Sequence, residues 1–365
     1  MKFIIDKKTL TDYLAIVSRT VASNSPTRVL ECILFDVSDN LILTSSDMDM
    51  GTKTKPIPIT VERTGKVAFD AKLFIDIIRK MPNGMITIDC DYNFNTIITN
   101  KKARLSINGI EGEEFPELPI FEQKKSFDIK SQDLADLIRK TIFSVGVDES
   151  KPTFKGELIE TDSNAVSLVS IDGMRISLAK TKIETEANIK EIIPGKALNE
   201  LLRILPADSN VTVGFTNNHV FFKLEEFIFT SKIIGGEFFN YANSFPHNFT
   251  VKAIINRIEF IECLERSLSI LHDNKAHPIT LSFKESVLLL ESTTVLGSQA
   301  DEIDIEFEGE SFVIAFNPKF LIEAIKVIDS EKILMSMNNE HTPCVITAEN
   351  DGNSKYLILP LRIKR

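Results

Sequence analysis

Apolar residues recur at helical spacing twice in each third of this chain. Leu10, Leu14, Val17 and Val21 form one such stripe. Leu134, Leu137, Ile138 and Ile142 form a second, and Ile258, Ile261, Leu264 and Leu268 a third. Leu10, Leu134 and Ile258 begin these stripes 124 residues apart. A second helical pattern runs over 69–79, returns over 193–203 and again over 316–326. Its first cation is Lys72, Lys196 or Lys319, and its second is Arg79, Arg203 or Lys326. Periodic apolar positions with a cation at both ends predict an amphipathic helix, and three copies at one spacing predict a tandem repeat.

Alternating segments surround these helices. A short strand opens each unit at 2–5, 127–129 and 249–251. Alternation then returns at 40–47, 165–172 and 287–293, where each side chain faces opposite to the last. The second helix of the first unit stops at Pro82-Asn83-Gly84, and Ser131 and Asp133 suit the start of the first helix in the second unit. Three further strands close every unit: 85–89, 95–98 and 104–107; 210–213, 219–222 and 229–233; 333–336, 344–347 and 356–359. The stretch 110–116 reappears at 234–240, with linkers around 117–125 and 242–248. The pattern predicts three domains, 1–122, 123–248 and 249–365. Each is an α+β unit of two helices over a roughly eight-stranded antiparallel sheet. Open sheet edges in such units must pair with a neighbour or close a ring.

Composition narrows the function. Of 365 residues, 43% are hydrophobic and 26% charged, the profile of a soluble globular protein. No run of 18 apolar residues exists, and the early charges of Lys2 and Asp6 do not suit a signal peptide, so a cytoplasmic protein is expected. Cys32, Cys90, Cys263 and Cys344 lie far apart, and the five histidines form no ligand spacing. Free thiols and no metal follow. There is no Gly-rich phosphate loop, no GxSxG and no paired histidine and carboxylate motif, so neither catalysis nor a cofactor is expected. The net charge of −10 opposes a polyanionic partner, but the cations gather on the helical segments, whose net charge is positive. That distribution suits helices facing a polyanion and sheets facing away.

Met1-Lys2-Phe3, Phe115-Pro116-Glu117-Leu118-Pro119, Ile171-Asp172-Gly173-Met174-Arg175 and Tyr356-Leu357-Ile358-Leu359-Pro360-Leu361-Arg362 complete the picture. In this order, with the triple repeat, the chain resembles the bacterial sliding clamps, the β subunits of DNA polymerase III. The resemblance implies the DNA clamp fold and a head-to-tail homodimer closing into a six-domain ring around double-stranded DNA, without base reading. It implies a processivity function without chemistry, and as partners the polymerase III alpha subunit, the clamp loader and other proteins carrying a clamp-binding motif. DNA-facing cations would be Lys72, Arg79, Lys80, Lys151, Lys196, Arg203, Lys319 and Lys326. The dimer seam would fall on Leu105, Ile270 and Leu271.

The resemblance also implies a peptide pocket. Its walls would be Phe154, Ile171, Gly173, Met174, Arg175 and Ile176, then Phe239, Asn243 and Ser244, then Leu357, Ile358, Leu359, Pro360, Leu361 and Arg362. Here the chain departs from its family. Threonine is common where Ile171 stands and histidine where Met174 stands, while proline, arginine and valine are usual at 239, 243 and 244. Asn24 replaces a common basic residue. Two other classes compete with this reading: a repeat scaffold that binds only proteins, and a hydrolase with an interdomain cleft.

Overall fold

The computed structural model describes residues 1–121, 125–269 and 278–362. Among them are six α-helices, two per repeat: α1 (Lys7–Val17), α2 (Ala71–Lys80), α3 (Ser131–Thr141), α4 (Gly195–Leu202), α5 (Arg257–Ser269) and α6 (Pro318–Lys326). The second and third repeats hold eight strands each, and the first adds two short ones, Thr60–Arg63 and Ile110–Glu111.

Each helix is amphipathic for the reason its sequence gives. In α2, Ala71, Phe74, Ile77 and Ile78 are buried, while Lys72, Asp76, Arg79 and Lys80 are exposed. Phe74 joins Phe3, Phe35 and Phe69 in an aromatic cluster with ring centroids 4.8–6.5 Å apart. Burying each such ring contributes roughly 1.5–3 kcal/mol. Asp6 and Asp70 cap α1 and α2, accepting backbone N–H groups of the first turn. The first α-helix stops earlier than its apolar stripe, because Ser18–Thr20 tighten into a 3-10 turn. Ser131 is the first residue of α3; its hydroxyl accepts the Ser209 N–H at 3.1 Å.

A backbone tie recurs with the repeat. Lys7 N–H donates to Gly84 O, Ser131 N–H to Ser209 O, and Arg257 N–H to Glu331 O, at 2.9–3.0 Å. It locks the start of each first helix to the turn after each second helix. The opening strand of every repeat pairs with the strand that follows: Lys2–Asp6 with Met85–Cys90, Ser126–Lys130 with Asn210–Phe215, Val251–Asn256 with Lys332–Met337. The third opening strand begins at Val251, two residues later than its sequence suggests.

The sheets do not end where the repeats end. Met50–Thr54 of the first repeat pairs antiparallel with Phe227–Lys232 of the second. Arg175–Lys182 of the second pairs in the same way with Ser354–Ile358 of the third. The chain therefore forms two compact units, 1–132 with 196–233 and 133–195 with 234–365. The first unit contains a nine-stranded and a five-stranded sheet, and the second a twelve-stranded sheet. In the first unit the outer strand Ala103–Asn108 pairs, among the described residues, on one side only, with Asn95–Asn100. In the second unit Gly297–Glu308 gives its first half to Val287–Thr294 and its last residues to Val251–Asn256.

Candidate functional site

The second unit gathers much of the expected pocket around one apolar cluster. Ile171, Ile176, Leu158, Val169 and Ile192 come from the second repeat, and Val345 and Leu357 from the third. Phe238 comes from the connecting segment, and Phe154, Leu178, Tyr241, Phe245 and Leu359 pack on the rim. Strand alternation decides which side chains take part. Leu357 and Leu359 face this cluster, whereas Ile358 and Tyr356 enter the core of the third repeat. Leu359 N–H donates to Met174 O at 2.9 Å, and Leu361 N–H to Ala315 O at 2.7 Å. The first bond carries the Arg175–Ile358 pairing onward, and the second ties the C-terminal segment to the strand Phe312–Phe316.

The turn at 171–176 is built for its place. Asp172 Oδ1 accepts the N–H groups of Met174 and Arg175, and Gly173 takes φ +94°, a left-handed conformation that favours glycine. The turn leaves Met174 38% exposed, and across the connecting segment Phe239 is 46% exposed. These two are large apolar side chains left in water beside an apolar floor, the arrangement of a recognition groove. Asn243 and Ser244 sit on the short 3-10 helix Tyr241–Ser244, whose Tyr241 hydroxyl donates to Glu160 Oε2 at 2.7 Å. Burial, followed by that hydrogen bond, pushes the Tyr241 hydroxyl pKa up.

Arg175 belongs to the pocket segment but points away from solvent. Its side chain is 8% exposed. Nε donates to Asp172 Oδ2 at 2.9 Å, Nη1 to Glu323 Oε2 at 2.5 Å, and Nη2 to Phe143 O. The guanidinium also lies 4.2 Å from the Phe320 ring centroid and 5.4 Å from that of Phe143. These contacts tie the turn to Glu323 and to the Phe143 carbonyl. Arg175→Met should cost on the order of 3 kcal/mol, because two half-buried carboxylates lose their counter-charge. Thermal unfolding of the variant checks this; an unchanged transition would reduce the network to a passive contact.

The repeated cations occupy the positions their periodicity predicts. Lys72, Arg79, Lys80, Lys196, Arg203, Lys319 and Lys326 are all exposed. Several are already paired: Lys196 with Asp47 at 2.8 Å, Lys80 with Asp76 at 2.7 Å, Lys326 with Glu265 at 2.6 Å, Arg203 with Glu200 at 3.3 Å. The Lys80 and Lys326 pairs are exposed on both sides, so they contribute little to stability and leave those cations free to exchange partners. Lys151 is elsewhere. Its Nζ sits 5.1 Å from the Phe154 ring centroid and 3.8 Å from where a Gly173 side chain would begin, beside the pocket residues. Leu105 is 40% exposed on the outer strand Ala103–Asn108. Ile270 and Leu271 lie outside the described residues.

No helix is long and apolar enough to cross a membrane, and no cluster of three metal-ligating side chains occurs, among the described residues. All four cysteines are free and buried. Burial raises their thiol pKa values, Cys32 to about 11.

The sequence matches the three domain families of the DNA polymerase III beta subunit in order: N-terminal over 1–119, central over 128–240 and C-terminal over 243–362. It is 28% identical to the beta sliding clamp of Bacillus subtilis, across 99% of this chain and all of that one. A crystal structure of a putative DNA polymerase III beta subunit from Eubacterium rectale is 35% identical, covers both chains fully and superposes with a TM-score of 0.94. The crystal structure of the Bacillus subtilis polymerase sliding clamp gives 28% identity, full coverage and a TM-score of 0.96. With the triple repeat, the sheet junctions and the apolar groove already in place, this chain belongs to the DNA polymerase III beta subunit family, the bacterial sliding clamps.

Proposed function

We propose that this chain acts as the cytoplasmic processivity clamp of a replicative DNA polymerase. Two copies associate head to tail, and six domains, bounded at 1–122, 123–248 and 249–365, form a ring around duplex DNA. The clamp performs no chemistry; it holds the polymerase near its template by topology.

One observation carries this reading. At both repeat junctions the strand after the 46–51 or 171–176 turn pairs with the last strand of the next repeat. Continuing the rule past the third repeat leaves Gly297–Asp304 seeking a last strand, and Ala103–Asn108 of the first repeat has an open side. The two edges are complementary in charge: Lys101, Lys102 and Arg104 are exposed on one, Glu302 and Asp304 on the other, while Asp301 is already paired with Arg266. Each edge in one copy meets the other edge in the second copy, and two identical seams close the assembly.

The exposed cations of α2, α4 and α6 then face phosphate. The exposed pairs of Lys80 and Lys326 with neighbouring carboxylates exchange readily for phosphate oxygens, which suits sliding better than tight grip does. The groove at Met174, Phe239 and Leu359 takes short linear segments with apolar anchors from the polymerase alpha subunit, the clamp loader and other partners, with Lys151 at its rim.

Retention on DNA tests the function. The protein, once loaded, should stay on nicked circular DNA through gel filtration and leave after linearisation. Equal loss from circles and linear DNA would sink the reading. Lys72→Glu, Arg203→Glu and Lys319→Glu together should lower loading and processive synthesis at least several-fold. Light scattering should still show the dimer. Loading by this variant at the parent's level, with the parent's salt dependence, would take these cations out of the DNA path.

A further inference from the structure

The second repeat hides an acid where its sister repeats hold an aliphatic core residue. Strand pairing aligns the three positions: Ile33 opposite Phe69, Glu157 opposite Ile193 and Ile279 opposite Phe316. All three side chains are 0% exposed. Glu157 has one partner, Thr141 Oγ1 at the end of α3, at 2.6 Å, and its other oxygen, Oε1, has none among the described residues.

The proton count at Thr141 is informative. Its hydroxyl has one proton and lies 2.8 Å from Leu137 O, the usual back-bond of a helical threonine. With that proton given to the carbonyl, the short contact to Glu157 needs a proton from the carboxyl. An ionised carboxylate would instead face a lone pair on one oxygen and nothing on the other, at a large desolvation cost. Among the described residues the surroundings supply no compensating charge. The neighbouring strands present Ile193 and Ser170, and α3 presents Thr141. The charged groups of these elements, Lys190 and Glu191, Asp136, Arg139 and Lys140, and Glu160 on the same strand as Glu157, keep water contact.

We infer that Glu157 is carried as the neutral acid, its proton donated to Thr141, so that the stability of the central repeat is linked to the proton on this one buried side chain. Burial raises the pKa of this carboxyl to about 8. The sign follows from the raised value. Below an ordinary glutamate pKa both folded and unfolded chains hold the proton and the site is silent. Between that pH and about 8 the unfolded chain loses the proton and the folded one keeps it, so stability falls as pH rises. Above about 8 both states are ionised and the loss is complete.

The test compares the full-length protein with Glu157→Gln and Glu157→Ile by thermal unfolding from pH 5 to pH 9.5. The folding constant of the parent relative to either variant should fall by up to ~tenfold per pH unit across the window and then level off. Parallel profiles for the three proteins would overturn the inference. An infrared difference spectrum, parent minus Glu157→Gln, gives a second reading. A protonated-carboxyl stretch present at neutral pH and lost above pH 8.5 is expected, and its absence at neutral pH in folded protein would also overturn it.

Discussion

Replacing Met174 and Leu359 together by alanine is expected to abolish binding of an apolar linear peptide while leaving the assembled protein intact. The two residues come from different repeats, their backbones are joined by the Leu359 N–H to Met174 O bond, and Leu359 packs against the apolar floor. Truncating a central anchor of such a site typically costs about 2 kcal/mol or more, roughly thirtyfold in affinity, and two anchors lose more than one. Met174 is already half in water, so its truncation leaves little cavity behind. Fluorescence anisotropy with a labelled Gln-Leu-Ala-Leu-Phe peptide measures the effect, with light scattering as the control for assembly. Undiminished affinity in a folded double variant would move the partner site away from this groove.

The second large effect should come from the open sheet edges. Arg104→Glu with Leu105→Glu puts like charge against Glu302 and Asp304 and removes a leucine contact worth roughly 1.5–3 kcal/mol on burial. Like charges facing each other across an interface add several kcal/mol. Both seams carry the change, so the dimer should give way to monomer at micromolar concentration in sedimentation. Glu302→Lys with Asp304→Lys, combined with that variant, should restore association. A reversal variant that remains dimeric at nanomolar concentration would place the seam on other surfaces.

The parts legible in the sequence were those with a period. The helices show because Leu10, Leu134 and Ile258 open the same stripe, and because Lys72, Lys196 and Lys319 mark the same turn. The strand Ser354–Ile358 shows by alternation, but alternation alone does not say which face meets which core. That is why Leu357 and Ile358 looked equivalent for the pocket and prove to face different clusters. Arg175 reads as a pocket cation on its own segment. Its real partners include Phe143 and Phe320, as well as Glu323, which lies 148 residues away. No local pattern encodes a pair at that separation. Lys151 has no such signal, since an exposed loop lysine has no period, and only the fold shows that Phe154 and Gly173 lie beside it. The sheet junctions were legible only as a need, an edge requiring a partner, and not as a particular pair of strands.

Those junctions also set a timetable for the growing chain. Thr54 lies opposite Phe227, so 173 residues separate the first strand of that pairing from the second. At a synthesis rate of roughly 5–20 residues per second, Met50–Thr54 waits on the order of ten to thirty seconds for its partner. During that interval its unpaired amides are open to any other nascent strand on the same ribosome cluster. The strand is short, and Lys53 is an exposed cation within it, two features that discourage the wrong match. The first repeat can settle its own core early, but its sheet is finished by a segment still being made, and its birth is therefore slow by topology.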